Sequence, residues 1–272
     1  CCLTKTPPRW AARCRMKRST TSAEKKTPLW AVVVWLLVWQ AAAWWVDAPI
    51  LLVSPWTAIC RFAQLAVRGA FWQSTGFTVG RILLGFAMSA LLGITLAALG
   101  YRFVWIRQLL NPLVAAVKAV PVASFVILVL LWVPSRNLSV VISLLIGFPV
   151  IYANVLTGLC STDPKLIEMA RVFRVPFGRQ LRAIYLYAVM PFLRSGLTIA
   201  MGLCWKSGVA AEVIGIPNGS IGEKLYKAKV YLETPDLFCW TLVIVLLSAA
   251  CEKLVSAGMA ALTKRMEKAW KQ

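Results

Sequence analysis

Six stretches of the chain are apolar for about the 20 residues that a helix needs to cross the hydrocarbon of a bilayer. They fall at 29–46, about 77–100, about 112–133, about 138–158, about 191–214 and about 237–257. No other feature of the sequence restricts the fold as strongly. In lipid every backbone N–H and C=O needs a partner within the protein, so runs of this length and composition must be helices. The expectation is an all-α membrane protein with six transmembrane helices. Composition agrees: 60% of the residues are hydrophobic and 15% charged, against about 25% charged in a soluble domain. Intrinsic disorder is excluded, and too few charges remain to cover a soluble surface.

The stretches carry their own punctuation. Trp30 stands at one end of the first, and Trp44 and Trp45 at the other, as interfacial anchors would. Pro134 follows the third, Pro149 lies in the fourth, and Pro191 is expected to start the fifth. Residues 47–75 open with turn signals at Asp47, Pro49, Ser54 and Pro55 and continue as a mildly amphipathic stretch. Residues 214–235 are polar and predict a loop with a short amphipathic helix.

The charge of +20 comes from 30 Lys and Arg against 10 Asp and Glu. In a soluble protein this balance would suggest nucleic acid. Its distribution gives a different cause. With six spans and an internal N-terminus, the segments 1–28, 101–111, 159–190 and 253–272 are internal and hold 20 of the 30 basic residues. External segments hold 6, and Arg81, Lys118, Arg194 and Lys206 lie within spans. The positive-inside rule therefore predicts that both termini are cytoplasmic, without a nucleic-acid partner. The organisation read from this is a basic cytoplasmic tail at 1–28, a membrane domain at 29–265 with a cytoplasmic loop at 159–190, and a short cytoplasmic tail at 266–272. The first methionine is Met16, and MKRSTTSAEKKTPLW is expected as the native start, with residues 1–15 an over-extended reading of the gene. A lipoprotein beginning at Cys1 is the alternative; it would place the basic tail outside, which the charge rule disfavours.

Several chemistries are absent. The chain has no His, which removes His-based catalysis and His metal sites. Its eight cysteines include no C-x-x-C pair, and its ten acids are scattered. Lys206-Ser207 is not the tail of a P-loop, because Trp205 stands where a Gly is required. The expectation is no catalytic residue, cofactor or metal in this chain.

Two spans carry small residues four apart: Gly85, Ser89, Gly93 and Ala97 in the second, and Gly196, Ala200, Cys204 and Gly208 in the fifth. Such stripes let another backbone approach closely, so these helices pack in a compact bundle. The partner of each stripe is not readable from the sequence.

The internal loop 159–190 is too polar to cross and too long for a turn. Asp163 suits an N-cap and Pro164 a first helical position. Leu166, Ile167, Ala170 and Phe173 follow at helical spacing, and Pro176 and Gly178 are expected to break the helix. A second amphipathic stretch starts at Arg179, with Leu181, Ile184 and Leu186 apolar and Arg179 and Arg182 exposed. Such a basic helix–turn–helix suits either acidic lipid headgroups or the groove of a cytoplasmic partner.

The sequence Asp163-Pro164-x-Leu166-Ile167-Glu168-Met169-Ala170, with Ile184-x-Leu186 and Pro191 further on, resembles the EAA loop of ABC importer permeases. The likeness is strongest to the nitrate/sulfonate/taurine type. Residues 80–93, the segment around Pro121, Trp205-Lys206 and Val209-Ala210-Ala211-Glu212 resemble that subfamily as well, so the likeness covers about residues 29–265. Three positions depart from it: Met169 replaces the first alanine, Arg174 the glycine of the turn, and Tyr187 a common proline. Arg in a left-handed turn would cost about 1 kcal/mol; otherwise Gly178 takes over that role.

The resemblance implies a type I ABC importer permease fold in a bacterial cell (inner) membrane, with two copies around a shared path. The loop would be a coupling helix pair docked on a cytoplasmic ATPase dimer that binds the ATP and Mg, through Asp163, Leu166, Glu168, Met169, Ala170, Arg174 and Gly178. An extracellular or periplasmic binding protein would deliver a small solute, such as a nitrate-, sulfonate- or taurine-like anion or a thiamine precursor.

Lys206 and Glu212 are the candidate path residues. An intramembrane charge costs roughly 2.5–3.5 kcal/mol on insertion scales and is a functional candidate by default. Six residues apart, they sit about 120° off register on one helix. In the bland alternative Lys206 snorkels to the outer interface and Glu212 is simply exposed. Arg81 reads as interfacial, and Gln40 as an interhelical hydrogen bond. A self-sufficient carrier or channel is the rival reading, but it would be expected to show inverted repeats or several intramembrane charges, and no convincing internal repeat is evident. A membrane-embedded enzyme lacks its acids and His, and a nucleic-acid or lipid-binding role would rest on the basic tail.

Overall fold

A computed structural model describes residues 29–46 and 52–270. The basic tail, the turn signals Asp47 and Pro49, and the last two residues lie outside the described residues. Every regular element among those described is helical. In order these are α1 (Leu29–Val46), α2 (Pro55–Ala66), α3 (Gly69–Arg102), α4 (Val104–Ala119), α5 (Val122–Leu130), α6 (Ser135–Cys160), α7 (Pro164–Val172), α8 (Phe177–Gln180), a π-helical turn (Leu181–Tyr185), α9 (Leu186–Gly215), α10 (Ile221–Val230) and α11 (Thr234–Trp270).

Four stretches are long and apolar enough to cross a membrane: Gly69–Arg102, Ser135–Cys160, Gly178–Gly215 and Thr234–Met266. The pair α4 and α5 adds a fifth if counted as one span. The expected third span is therefore not a single rod. Its two halves meet at an angle of 104°. Pro121 is the cause: it has no N–H for the ladder and pushes its predecessor out of the α region. Val120 is accordingly extended, at φ −78° and ψ 130°. Helix α1 lies at the periphery, with Trp30, Trp35, Trp44 and Trp45 exposed.

Pro191 does not start the fifth span. It lies inside α9, and the helix runs on from α8 through the π turn, where the Leu186 N–H donates to the Leu181 carbonyl. The loop's second half is thus the first part of the span itself.

Both small-residue stripes meet the same neighbour, α6. A Cβ added at Gly85 would stand 2.5 Å from the Val140 carbonyl oxygen, and one at Gly93 2.9 Å from Ile151. From the other side, a Cβ at Gly196 would lie 2.8 Å from Asn154 and one at Gly208 2.7 Å from Ser143 Oγ. Gly147 of α6 sits where all three helices meet, and its Cβ would lie 2.6 Å from both Cys204 Sγ and Ser89 Oγ. The residue order of these contacts makes α3 and α6 parallel and α9 antiparallel to both. Polar bonds pin the same seam: Ser143 Oγ donates to the Cys204 carbonyl at 3.2 Å, and Cys204 Sγ to the Ser143 carbonyl at 3.1 Å. Helix α11 packs on the outer side of α9, where Trp205 Nε1 donates to the Ile244 carbonyl at 3.0 Å.

The bundle therefore has two ends. One carries the 161–180 loop between α6 and α9. The other carries α2, α10 and the starts of α3, α6 and α11.

Candidate functional site

The loop after α6 is built as a capped hairpin of helices. Asp163 accepts a hydrogen bond from the Lys165 N–H at 2.9 Å, and Pro164 begins α7, where a missing N–H has no consequence. The helix stops at Phe173 because Arg174 turns left-handed, at φ 49°. The Val175 N–H donates to the Ala170 carbonyl at 2.9 Å and the Arg174 N–H to the Arg171 carbonyl at 3.1 Å. This is the Schellman pattern, with arginine at the position that glycine usually takes. Arg174 itself keeps the left-handed geometry. Gly178 does not take over the turn and does not break the helix; it lies in α8. The second helix is tied to the turn by Gln180 Nε2, which donates to the Val175 carbonyl at 2.7 Å.

Within this hairpin Ala170 is 2% exposed and faces inward. Leu166, Met169, Val172, Phe173 and Leu181 are exposed. Asp163, Glu168, Arg174 and Gly178 are exposed as well. The loop thus offers apolar side chains on a basic, acid-dotted surface at the end of the bundle. An exposed apolar cluster of this kind marks an interaction surface.

The two candidate path residues part company. Lys206 is exposed on the flank of α9. Glu212, one and two-thirds turns later, is fully buried at 0% exposure. It is neither simply exposed nor open to a path within the chain. Thr78 Oγ1 of α3 donates to Glu212 Oε2 at 2.7 Å and accepts from the Ile221 N–H at 3.0 Å. The Gly222 N–H reaches the same carboxylate oxygen at 3.5 Å. Ser139 of α6, also buried, adjoins the carboxylate without a hydrogen bond of good geometry. Glu212 is thus a knot that fastens the first turn of α10 to α3 and α9. A side chain on Gly222 would run into the backbone of Glu212, so only glycine permits this approach.

Around the knot the second end of the bundle is tied by charge. Arg61 of α2 makes a two-pronged salt bridge with Asp236 at the start of α11. This bond holds the Arg61 guanidinium above its ordinary range, with burial working against it. On α10, Ser220 caps the helix by accepting from the Glu223 N–H at 2.9 Å. Glu223 in turn accepts from the Gly219 N–H at 2.6 Å and from Lys227 Nζ at 2.5 Å. None of Thr78, Ser139, Asp236 or Glu223 was singled out by sequence. Arg81 carried the available signal, a charge inside an apolar run. Among the described residues no cluster of three potential metal ligands occurs.

Comparison with known proteins matches this architecture. Residues 89–268 fit the family described as binding-protein-dependent transport system inner membrane component. The chain is 25% identical over 223 residues to a putative aliphatic sulfonates transport permease protein of Bacillus subtilis, covering 81% of this chain and 80% of that one. It is 28% identical over 245 residues to the Escherichia coli protein of the same description, with 89% of each covered. A riboflavin transport system permease protein of Chloroflexus aurantiacus is 27% identical, with 86% of each chain covered. Among solved structures, a chain of a bacterial ABC transporter involved in import of the acidic polysaccharide alginate superposes with a TM-score of 0.57. It is 15% identical and covers 86% of this chain and 94% of its own, which speaks for the fold alone. With the family match spanning well over half of its length, the chain belongs to the binding-protein-dependent transport system inner membrane components, as an ABC importer permease.

Proposed function

We propose that this chain forms the translocation path of an ATP-driven importer as one of two identical copies, each with six spans and cytoplasmic termini, in a bacterial inner membrane. The chain is a transport subunit, and a separate ATPase dimer hydrolyses ATP. The hairpin at 163–186 lies in a cleft of one ATPase subunit. Closure of the ATPases on ATP draws the two hairpins together and turns the path from inward to outward access. A binding protein delivers a small solute to the opposite end, at α2 and α10.

One observation carries the docking assignment. Leu166, Met169, Val172 and Phe173 are exposed around a buried Ala170, on a hairpin whose turn is fixed by the Arg174 cap. Water alone would not favour these apolar side chains on a surface, and a groove that buries them would gain about 25 cal/mol per Å² of apolar area. The continuous helix from α8 into α9 gives the hairpin a rigid lever to the far end of the bundle. Of the path residues, Lys206 is the one whose exposure suits contact with solute or with the second copy. Glu168→Lys is expected to abolish ATPase association in a detergent pull-down while leaving membrane insertion intact. Normal association of that variant would remove the docking assignment.

A further inference from the structure

We infer that the corner between α3 and α4, residues 101–109, is a contact surface for anionic phospholipid headgroups. It lies at the end of the bundle that carries the 161–180 loop. This goes beyond the importer reading and does not rest on it. It needs only that the chain crosses a membrane.

The corner follows directly on the apolar run of α3. Its sequence, Tyr101-Arg102-Phe103-Val104-Trp105-Ile106-Arg107, interleaves aromatic and basic residues where a span leaves the hydrocarbon. That is the depth at which Trp and Tyr anchor and at which Arg meets lipid phosphate. Tyr101, Arg102, Phe103, Trp105 and Arg107 are all exposed. No acid occurs from residue 48 to residue 162. Among the described residues neither arginine is in a salt bridge; the two ion pairs present are Arg61–Asp236 and Lys227–Glu223. Arg102 lies over the Phe103 ring at 5.5 Å, a contact that uses the charge and none of the N–H donors. Arg107 Nη1 donates to Cys160 Sγ at 3.8 Å, and a thiol sulfur is a weak acceptor. Both guanidiniums thus keep most of their donor fork for an oxyanion.

Two more observations point the same way. No side chain caps α4, which starts at Val104, so the positive end of its dipole opens onto the corner beside Arg102. From behind, the Tyr152 hydroxyl is directed at the corner. It lies 3.3 Å, and the Arg107 Cα 3.8 Å, from the point where a Cβ on Gly100 would stand. Tyr152 is buried, and among the described residues its hydroxyl has no hydrogen-bond partner. Trp105 and Leu109, one turn apart on α4, are exposed and apolar. A soluble partner would have to supply both a groove for these two and acids for the arginines. An anionic leaflet supplies both at this depth. The corner also braces the hairpin. The Tyr101 ring meets that of Tyr185 in the π turn edge to face at 5.8 Å, and Cys160 ends α6 just ahead of Asp163. Lipid held at the corner therefore stiffens the base of the 161–180 loop.

The test titrates the delipidated full chain in detergent micelles with phosphatidylglycerol or phosphatidylcholine and counts bound lipid by native mass spectrometry. Phosphatidylglycerol should bind in preference, and inorganic phosphate in large excess should not displace it. Arg102→Gln and Arg107→Gln should each weaken phosphatidylglycerol binding by about fivefold, the factor expected of one basic residue at an anionic surface. Lys264→Gln and Arg265→Gln remove the same charge from exposed positions near the end of α11 and should leave binding unchanged. Arg102 and Arg107 are exposed, so their variants keep the fold, and Arg107→Lys should retain binding even though it loses the bond to Cys160. Amide exchange in residues 161–185 should slow when phosphatidylglycerol is added. Equal binding of the two lipids would overturn the proposal by showing ordinary acyl contact. Displacement by inorganic phosphate would overturn it by showing a free-phosphate site, and an equal loss in the α11 variants by showing bulk charge. Unchanged binding by both arginine variants would remove the corner as the site, and unchanged exchange would remove the bracing of the hairpin.

Discussion

Replacing Gly85 by alanine tests the helix packing on which both ends of the molecule depend. The added Cβ would stand 2.5 Å from the Val140 carbonyl oxygen and 2.8 Å from Ser143 Cβ, where ordinary contacts begin at 3.4 Å. The shortfall is about 0.9 Å. The nearest atom is a backbone oxygen, which cannot rotate aside, so α3 must move away from α6. Overpacking of this kind typically costs about 1–3 kcal/mol, and a gap of 0.5–1 Å forfeits a quarter to a half of each dispersion contact along the seam. Against this, alanine gains up to about 1 kcal/mol of helix propensity over glycine. The net loss expected is about 1–2 kcal/mol, a fall in Tm of roughly 2–8 °C for a chain of this size. Gly80, on the same helix, is the control: a Cβ there meets nothing within 4 Å. Gly80→Ala keeps the propensity gain and should hold or raise Tm. The assay is thermal unfolding in detergent by tryptophan fluorescence, with size-exclusion monodispersity as a second probe. Equal shifts for the two variants would refute the packing argument.

Arg174→Gly should stabilise the hairpin by about 1 kcal/mol, because glycine takes the left-handed cap without strain, while Gly178→Ala should not destabilise; a lower Tm for Arg174→Gly would contradict the cap assignment. Glu223 gives a pH dependence at the other end. Burial pushes its carboxyl up, but the bonds from Lys227 and the Gly219 N–H outweigh it and hold it below the usual carboxylate range. Its folded pKa therefore lies below the unfolded one of about 4.3. The stability it lends is complete above that value and is lost as pH falls through the folded one. Amide exchange in residues 219–230 should accelerate below about pH 4 in the native chain and lose that dependence in Glu223→Gln.

Much of this fold was legible in the sequence because lipid leaves few choices. The apolar runs marked the helices, and the stripes at Gly85–Ala97 and Gly196–Gly208 are buried as four-residue spacing requires. Their convergence on α6 was not legible, since a stripe states how close a neighbour comes and not which neighbour it is. The break at Pro121 was visible as a proline, but apolar composition on both sides read as one span. The continuity through Pro191 was hidden because a π turn and a helix-internal proline leave no mark in hydropathy. At the candidate site, Asp163 and Pro164 acted as their residue types demand. Arg174 did not: its strained turn was fixed by the Schellman bonds around it, which outweighed residue preference. Glu212 shows the limit most plainly. Whether it is exposed or buried depends on α10 folding back over it, through Thr78, which lies 134 positions away in the chain.

The central claim is that the 163–186 hairpin couples this chain to a cytoplasmic ATPase. A pull-down from detergent-solubilised native membranes, with a C-terminal tag on the chain, addresses it directly. An ATPase should co-purify with the native chain and be lost when residues 163–186 are scrambled. If instead the native chain purifies alone, and reconstituted vesicles move a solute without ATP, the coupling account is contradicted.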